Sequence, residues 1–135
     1  MGEHGKHWRV VSVDDAKAVI GQFWDIQDDG GDYTRLIDLY ADDAVLVDPF
    51  FGTINGKSAI GDYMKKMVEL AGESGGRFER IDLCADGETA WVKWNWIMPD
   101  RTTDGVTIYR VRDGKIVFYQ DFLSTPPETP DGAMS

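Results

Sequence analysis

The sequence has little cysteine, little histidine and little positive charge. Cys84 is the single cysteine, so an intrachain disulfide and a cysteine-rich metal site are excluded. The two histidines, His4 and His7, lie in a polar N-terminal stretch, so chemistry that depends on histidine is not expected. Only 14 basic residues face 24 acidic ones, and the net charge of -10 disfavours nucleic acid and anionic membranes as partners.

Long apolar runs are also missing. No stretch reaches the roughly 20 apolar residues of a membrane span, and the N-terminus lacks the apolar segment of a signal peptide. With the lone cysteine, these absences predict a cytoplasmic protein. The chain is nevertheless 42% hydrophobic with five tryptophans, enough for the core of one domain. We predict a single domain over residues 13–124, a flexible tail at 1–12 and a flexible proline-rich tail at 125–135.

Apolar residues at helical spacing predict three helices in the first part of the chain. Serine or aspartate can cap the starts of the first two, a turn dipeptide precedes the third, and glycines follow the ends of the first and third. The predicted helices run from Ser12 or Asp14 to Gly30, from Asp32 through Tyr40, and from the Asn55-Gly56 turn to Gly72. Between the second and third, Ala44 to Asp48 forms a short extended run.

Four β-rich runs separated by Asp-Gly and Pro-Asp dipeptides fill the rest of the domain. They are FERIDLC, TAWVKWNWIM, GVTIYRVR and KIVFYQDFLS, and they predict an antiparallel meander. Helices followed by such a sheet indicate an α+β fold, in which the helices cover the apolar face of the sheet. A strongly curved sheet wrapped over three helices would form a cone with an open mouth.

Asp48 ends the first extended run and is followed by Pro49, Phe50 and Phe51. Proline biases the preceding residue away from the helical region, so Asp48 should close its strand or open a turn. One interpretation is a turn-forming acid that accepts hydrogen bonds from its own backbone. The other is a carboxylate inside the cone, with the two phenylalanines excluding water.

Asp121 lies on the last predicted strand, where both faces are mostly apolar, so alternation does not decide its direction. It could pair with Arg110 or Arg112 on the neighbouring strand. Alternatively it points into the cone with Asp48. Two carboxylates in an apolar cavity have their proton affinities pushed apart, which supplies an acid and a base without histidine.

Three tryptophans have more than one interpretation. Trp94 and Trp96 share a strand face, so they could pack in the core, form a dimer interface or line a ligand. Trp24 on the first helix should face the core, and its N–H could reach the cavity. Cys84, on an apolar strand without a neighbouring histidine, is expected to be a buried, inert thiol.

Several sequence segments resemble those of the nuclear transport factor 2-like superfamily, and within it those of the SnoaL-like polyketide cyclase and ketosteroid isomerase branch. The segments are Tyr40-Ala41-Asp42-Asp43-Ala44 followed by Asp48-Pro49, Asn55-Gly56-Lys57, and Asp113-Gly114-Lys115-Ile116 before Asp121-Phe122. The resemblance covers roughly residues 13–124. It implies the cone-shaped α+β barrel but does not fix the chemistry.

The resemblance also assigns positions. Asp48 falls where the isomerases keep their proton-shuttling carboxylate, and Asp121 resembles the acid-base aspartate of the cyclases. Trp24 and Thr107 stand where the isomerases carry a tyrosine and a second aspartate, which departs from that pattern. The superfamily's epoxide hydrolases have an arginine and an aspartate near Trp94 and Trp96, so that activity is disfavoured.

What the resemblance implies is a cofactor-free enzyme that transfers a proton on a hydrophobic, carbonyl-containing ligand, by isomerisation, cyclisation or dehydration. Asp48 and Asp121 would be the acid and base, and Trp24, Tyr63 or Tyr119 would donate to an enolate oxygen. The expected ligand-binding residues are Trp24, Phe50, Phe51, Tyr63, Trp94, Trp96, Thr107 and Tyr119. The alternative is a non-catalytic ligand-binding or homodimeric assembly module.

Overall fold

A computed structural model describes residues 7–124, with side chains from Ala16 onward. The helices are α1 (His7–Asp28), α2 (Tyr33–Ile37) and α3 (Lys57–Ser74). The strands are β1 (Tyr40–Asp48), β2 (Gly52–Asn55), β3 (Arg77–Asp86), β4 (Thr89–Ile97), β5 (Thr102–Arg112) and β6 (Lys115–Leu123). The rest of the predicted tails, at 1–6 and 125–135, lies outside the described residues.

The helices follow the predicted pattern with three corrections. Helix α1 begins at His7, before the capping residues expected at its start. Asp32 caps α2 as predicted, by accepting from the backbone N–H of Thr34, but Tyr40 begins a strand. Helix α3 follows β2, so only two helices precede the sheet, and it continues to a left-handed glycine, Gly75.

The strands form one curved, unclosed sheet in the order β2-β1-β6-β5-β4-β3. Strands β3 to β6 are the predicted antiparallel meander. Strand β2 was not predicted, because GTIN is short and has the composition of a turn. The first and last strands, β1 and β6, pair in parallel at the centre of the sheet. The first and last strands of the domain are therefore neighbours in the sheet, although they are far apart in the sequence.

The core lies between the inner face of this sheet and α1 and α3. Alternation along β4 places Val92 and Trp94 inside and Trp91 outside. The apolar stripe of α1 is buried against this face, at Ala16, Val19, Ile20, Phe23, Trp24 and Ile26. Gly105 on β5 leaves room for the neighbouring indole, since a Cβ atom there would lie 2.7 Å from the Trp94 ring.

A one-residue bulge at Val117 in β6 decides the direction of Asp121. The pairs on either side of the bulge are Val111 with Ile116 and Arg110 with Phe118. Because a shift of one residue exchanges the two faces of a strand, the bulge brings Tyr119 and Asp121 to the inner face with Ile116. Without it, regular alternation from Ile116 would turn Asp121 outward.

The outer face of the sheet carries an exposed cysteine and an open depression. Cys84 is exposed there opposite Trp91, so the expectation of a buried thiol is wrong. An open depression of about 790 Å³ also lies on this face, at the bulge between β1, β5 and β6. It is lined by Ala41, Asp43, Arg110, Arg112, Asp113, Lys115, Val117 and Phe118. No helix of the described chain is long and apolar enough to cross a membrane.

Candidate active site

Asp48 is a buried acid, 7% exposed, at the end of β1. Its Oδ1 accepts from the backbone N–H groups of Phe50 and Phe51, at 2.7 and 2.9 Å. This is the turn-forming role that Asp-Pro indicated. Its Oδ2 accepts from the hydroxyl of Tyr63 on α3, at 2.5 Å. Three donors thus meet the two oxygens of one carboxylate.

The expected shielding of Asp48 by two phenylalanine rings is not found. Phe50 is 65% exposed and Phe51 is 54% exposed, because the turn carries their side chains outward. Phe51 still contacts the ring of Tyr63 edge-on, at 6.1 Å between ring centres. Asp48 is buried instead beneath α3, whose Tyr63 covers it.

Asp121 lies deep on the inner face of β6, where its side chain keeps a partly accessible edge. Its Oδ1 accepts from the hydroxyl of Thr107, at 2.5 Å, and its Oδ2 accepts from Tyr119, at 3.2 Å. Arg110 and Arg112 line the outer depression, so the ion pair considered for Asp121 does not form. Within residues 16–124 no other cation pairs with it either.

Burial raises the pKa of Asp121 to about 7. The hydrogen bonds from Thr107 and Tyr119 oppose this increase, and the negative charge of Asp48 adds to it. Burial also raises the pKa of Tyr63 well above its ordinary value, and the hydrogen bond to Asp48 and the charge of Asp121 act in the same direction. Asp48, Tyr63 and Asp121 therefore lie close enough to form one electrostatic unit.

Two indoles supply hydrogen bonds beneath Asp121. Trp94, 4% exposed, donates to the hydroxyl oxygen of Thr107 at 2.7 Å. Trp24, 2% exposed, donates to the hydroxyl of Tyr109 at 2.9 Å. Neither indole N–H is left to bind a ligand. Trp94 belongs to the core, whereas Trp96 is half-buried and packs on Phe78, at 4.6 Å between ring centres.

Tyr40 is a member of this cluster that sequence reasoning missed as a site residue. Its ring lies 6.5 Å from that of Tyr119, and burial raises its pKa well above the ordinary value, with the charge of Asp121 contributing. Among the described residues, its hydroxyl is the one buried side-chain polar atom without a hydrogen-bond partner. Its spacing from Leu36 and Ile37 suggested a helix, which concealed its position on the first strand.

Not every expected ligand-binding residue faces the acids. Near the acids, the residues that are half-buried rather than fully buried are Tyr63, Trp96, Tyr119, Asp121 and Leu123, and we call them the inner surface. Trp24, Trp94 and Thr107 lie below this surface as supporting residues. Among the described residues, no group of three histidine, cysteine, aspartate or glutamate side chains could hold a metal ion.

Comparison with solved structures shows where this fold recurs. A Kribbella flavida protein, provisionally named a ketosteroid isomerase, is 22% identical with a TM-score of 0.73, over 90% of this chain and 86% of that one. An NTF2-like protein of unknown function from Mesorhizobium loti is 22% identical with a TM-score of 0.72, over 85% and 94%. A Sinorhizobium meliloti protein, provisionally named a polyketide cyclase, is 20% identical with a TM-score of 0.65, over 78% and 94%.

At these identities, the structural likeness establishes the fold alone. Curated proteins gave no match to the sequence. The sequence profile of the SnoaL-like domain, however, matches residues 20–119, which is most of the chain and includes β1 and the first part of β6, up to Tyr119. The chain therefore belongs to the SnoaL-like family.

Proposed function

We propose that this chain catalyses proton transfer next to a carbonyl group on a hydrophobic ligand, without a cofactor. Asp121 is the group that takes and returns the proton. The observation that carries the proposal is its place on an aromatic inner face, with two hydroxyl donors, no partner cation among the described residues and a pKa near 7. A base with a pKa near the working pH is half ionised and can act in both directions.

The reaction begins with ionised Asp121. Its carboxylate removes a proton from the carbon next to the ligand carbonyl, which leaves a neutral carboxylic acid and an enolate. The acid then returns the proton to a different carbon or to a leaving oxygen. Isomerisation and dehydration, respectively, follow from these two destinations. Attack by the enolate carbon on a second carbonyl gives cyclisation, and the acid then returns its proton to the alkoxide oxygen that this attack forms.

The enolate oxygen needs a donor, and Tyr119 is better placed for this role than Tyr63. The bond from Tyr63 to Asp48 is 2.5 Å, whereas the bond from Tyr119 to Asp121 is 3.2 Å, which is long for a hydroxyl donor. When Asp121 gains a proton it no longer holds the Tyr119 hydrogen by charge. That hydrogen can then turn to the enolate at the moment when negative charge develops there.

Asp48 has a supporting role in this proposal. Its charge helps to raise the pKa of Asp121, and its hydrogen bond fixes the ring of Tyr63 in the inner surface. Its three donors occupy both oxygens of the carboxylate. It therefore acts through the field it creates and through the position of Tyr63.

The test is exchange of carbonyl α-protons for deuterium, followed by proton NMR in D₂O. A flat bicyclic ketone, 2-tetralone, and smaller cyclic ketones serve as probes. Asp121→Asn should slow catalysed exchange by about 100-fold or more, the usual contribution of a general base. Asp62→Asn changes an exposed acid on α3 and should leave the rate unaltered. Exchange by Asp121→Asn within about twofold of the unmodified protein would defeat the proposal.

A second candidate, assembly of two copies through the outer face of the sheet, rests on a different observation. Trp91 is 40% exposed and Phe122 is 45% exposed, although both are large apolar side chains on regular strands. Two cross-strand rows place them together, Cys84-Trp91-Ile108-Gln120 and Asp82-Lys93-Val106-Phe122. Large exposed apolar side chains on one face of a sheet are typical of a surface that a second copy covers.

Analytical ultracentrifugation at several protein concentrations distinguishes a homodimer from a monomer. A homodimer through this face should dissociate when Trp91 is replaced by glutamate, because the two new negative charges, one from each copy, would then oppose each other or lose hydration. Leu70→Glu alters an apolar side chain of similar exposure on α3 and should leave the dimer intact. A monomer at all concentrations before any substitution would remove this candidate.

A further inference from the structure

The hydrogen bonds beneath Asp121 have a direction. The indole N–H of Trp94 can only donate, so the Thr107 oxygen must accept from it at 2.7 Å. Thr107 has one hydrogen of its own, and the Oδ1 atom of Asp121 lies 2.5 Å away. Trp94 and Thr107 are 4% and 1% exposed, so water does not compete for either bond. The chain therefore runs from Trp94 through Thr107 to Asp121.

If neutral Asp121 carried its proton on Oδ1, this chain of hydrogen bonds would be disrupted. The Thr107 oxygen would then face two donors, namely Trp94 and the acid itself. The Thr107 hydrogen would have to turn away from Oδ1 and would lose the acceptor that it has there. A proton on Oδ2 requires no such change, because Oδ2 meets only the long bond from Tyr119.

We infer that Thr107 is a positioning residue that reserves Oδ1 of Asp121 as an acceptor and confines the exchangeable proton to Oδ2, the oxygen beside Tyr119. This inference rests on the proposed role of Asp121. It makes the reacting atom a single oxygen, and it explains a buried threonine below the inner surface. The titratable side chains facing Asp121 are Asp48 and Tyr40 on β1, Tyr63 on α3, Tyr109 on β5 and Tyr119 on β6.

Carbon-13 NMR of the Asp121 carboxyl group as a function of pH tests the role of Thr107 without any substrate. Thr107→Val keeps the shape and removes the donor to the ionised form, so the titration midpoint should rise by about one pH unit. Thr107→Ser keeps the hydroxyl and should restore the midpoint. Thr103→Val changes a half-buried threonine of the same strand that is opposite Trp96, and should have no effect.

Trp94→Phe is a second variant in case the valine variant does not fold. It removes the donor that orients Thr107 and should raise the midpoint by a smaller amount. Neutron diffraction from deuterated crystals below pH 6 locates the proton directly, with deuterium expected on Oδ2 and the Thr107 deuterium directed at Oδ1. Deuterium on Oδ1, or an unchanged midpoint in the threonine and tryptophan variants, overturns the inference.

The two proposals fail separately. If Thr107→Val shifts the midpoint while Asp121→Asn retains full exchange of ketone protons, the hydrogen-bond assignment stands and the proposed function falls. If Asp121→Asn abolishes exchange while the midpoint in Thr107→Val stays fixed, the function stands and Thr107 does not position the proton. The pH dependence of exchange adds a third readout, since its lower limb should move with the midpoint.

Discussion

The indole nitrogen of Trp24 donates to the hydroxyl of Tyr109 across 2.9 Å, joining α1 to β5 over 85 positions of sequence. Both side chains are buried. Tyr40 lies in the same ring cluster, but its equally buried hydroxyl has no partner within residues 16–124. Two tyrosines of one core thus differ in a single respect, whether their hydroxyl is bonded.

That contrast predicts opposite effects of the same substitution. Tyr109→Phe leaves the Trp24 N–H unsatisfied and should lower the free energy of unfolding by about 1–3 kcal/mol. Tyr40→Phe removes a buried hydroxyl that has no partner, so stability should stay level or rise by up to about 1 kcal/mol. Urea denaturation measures both. Equal losses in the two variants would show that Tyr40 is bonded.

The raised pKa of Asp121 predicts a pH dependence of stability. The unfolded chain releases this proton near the ordinary value of 3.8, whereas the folded chain releases it near 7. Between these values the folded state holds more protons, so its stability falls as pH rises, and the loss is complete above the folded pKa. A shift of this size corresponds to at most about 4 kcal/mol.

Comparison with Asp121→Asn isolates this contribution, because other titrating groups cancel between the two proteins. The variant should match the unmodified protein near pH 4 and exceed its stability increasingly up to pH 8. Thermal or denaturant unfolding at four pH values gives the difference. A difference that is constant across this interval would indicate an Asp121 that titrates normally.

Gly105 should be far less tolerant of alanine than Gly21. A Cβ at position 105 would lie 2.5 Å from the carbonyl oxygen of Phe122 and 2.7 Å from the Trp94 ring. We expect Gly105→Ala to cost about 1–3 kcal/mol by overpacking. Gly21 has open space beside it within α1, so Gly21→Ala should stabilise by about 0.5–1 kcal/mol. Chemical denaturation distinguishes the two signs.

Two substitutions of Asp48 distinguish its role as the acceptor in the turn from its role in proton exchange. Asp48→Asn keeps an oxygen that can accept from Phe50 and Phe51, so the fold should persist with a loss of about 1 kcal/mol or less. Its α-proton exchange should fall by less than that of Asp121→Asn. Asp48→Ala removes the turn acceptor and should cost about 1–3 kcal/mol. If Asp48→Asn exchanges as slowly as Asp121→Asn, Asp48 takes part in the proton transfer itself.

Local patterns in the sequence predicted much of the architecture. The apolar stripe of α1, the Asp32 cap, the turn at Asp48 and the four-strand meander all follow from spacing and turn chemistry. Tyr40 was misplaced because residues 36, 37 and 40 match a helical period as well as a strand start. Pairing across distant strands decided between the two, and spacing alone does not contain that information.

The direction of Asp121 could not be predicted for a related reason. It depends on the bulge at Val117, which is visible only in the pairing between β5 and β6. The Trp94-Thr107-Asp121 chain depends on the same register, together with the room left by Gly105. A glycine opposite a tryptophan, within a strand otherwise rich in β-branched residues, was the one signal available.

The parallel contact between β1 and β6 bears on how the chain reaches its native state. Tyr40 pairs with Ile116, so the two ends of the domain must meet before the sheet is continuous. Such distant contacts slow folding, because the chain must lose the entropy of loop closure before the contacts can form and stabilise it. During synthesis, β1 and its Asp48 should lack their neighbouring strand until β6 has left the ribosome. Chains truncated before Lys115 should expose two unpaired strand edges, which favour aggregation.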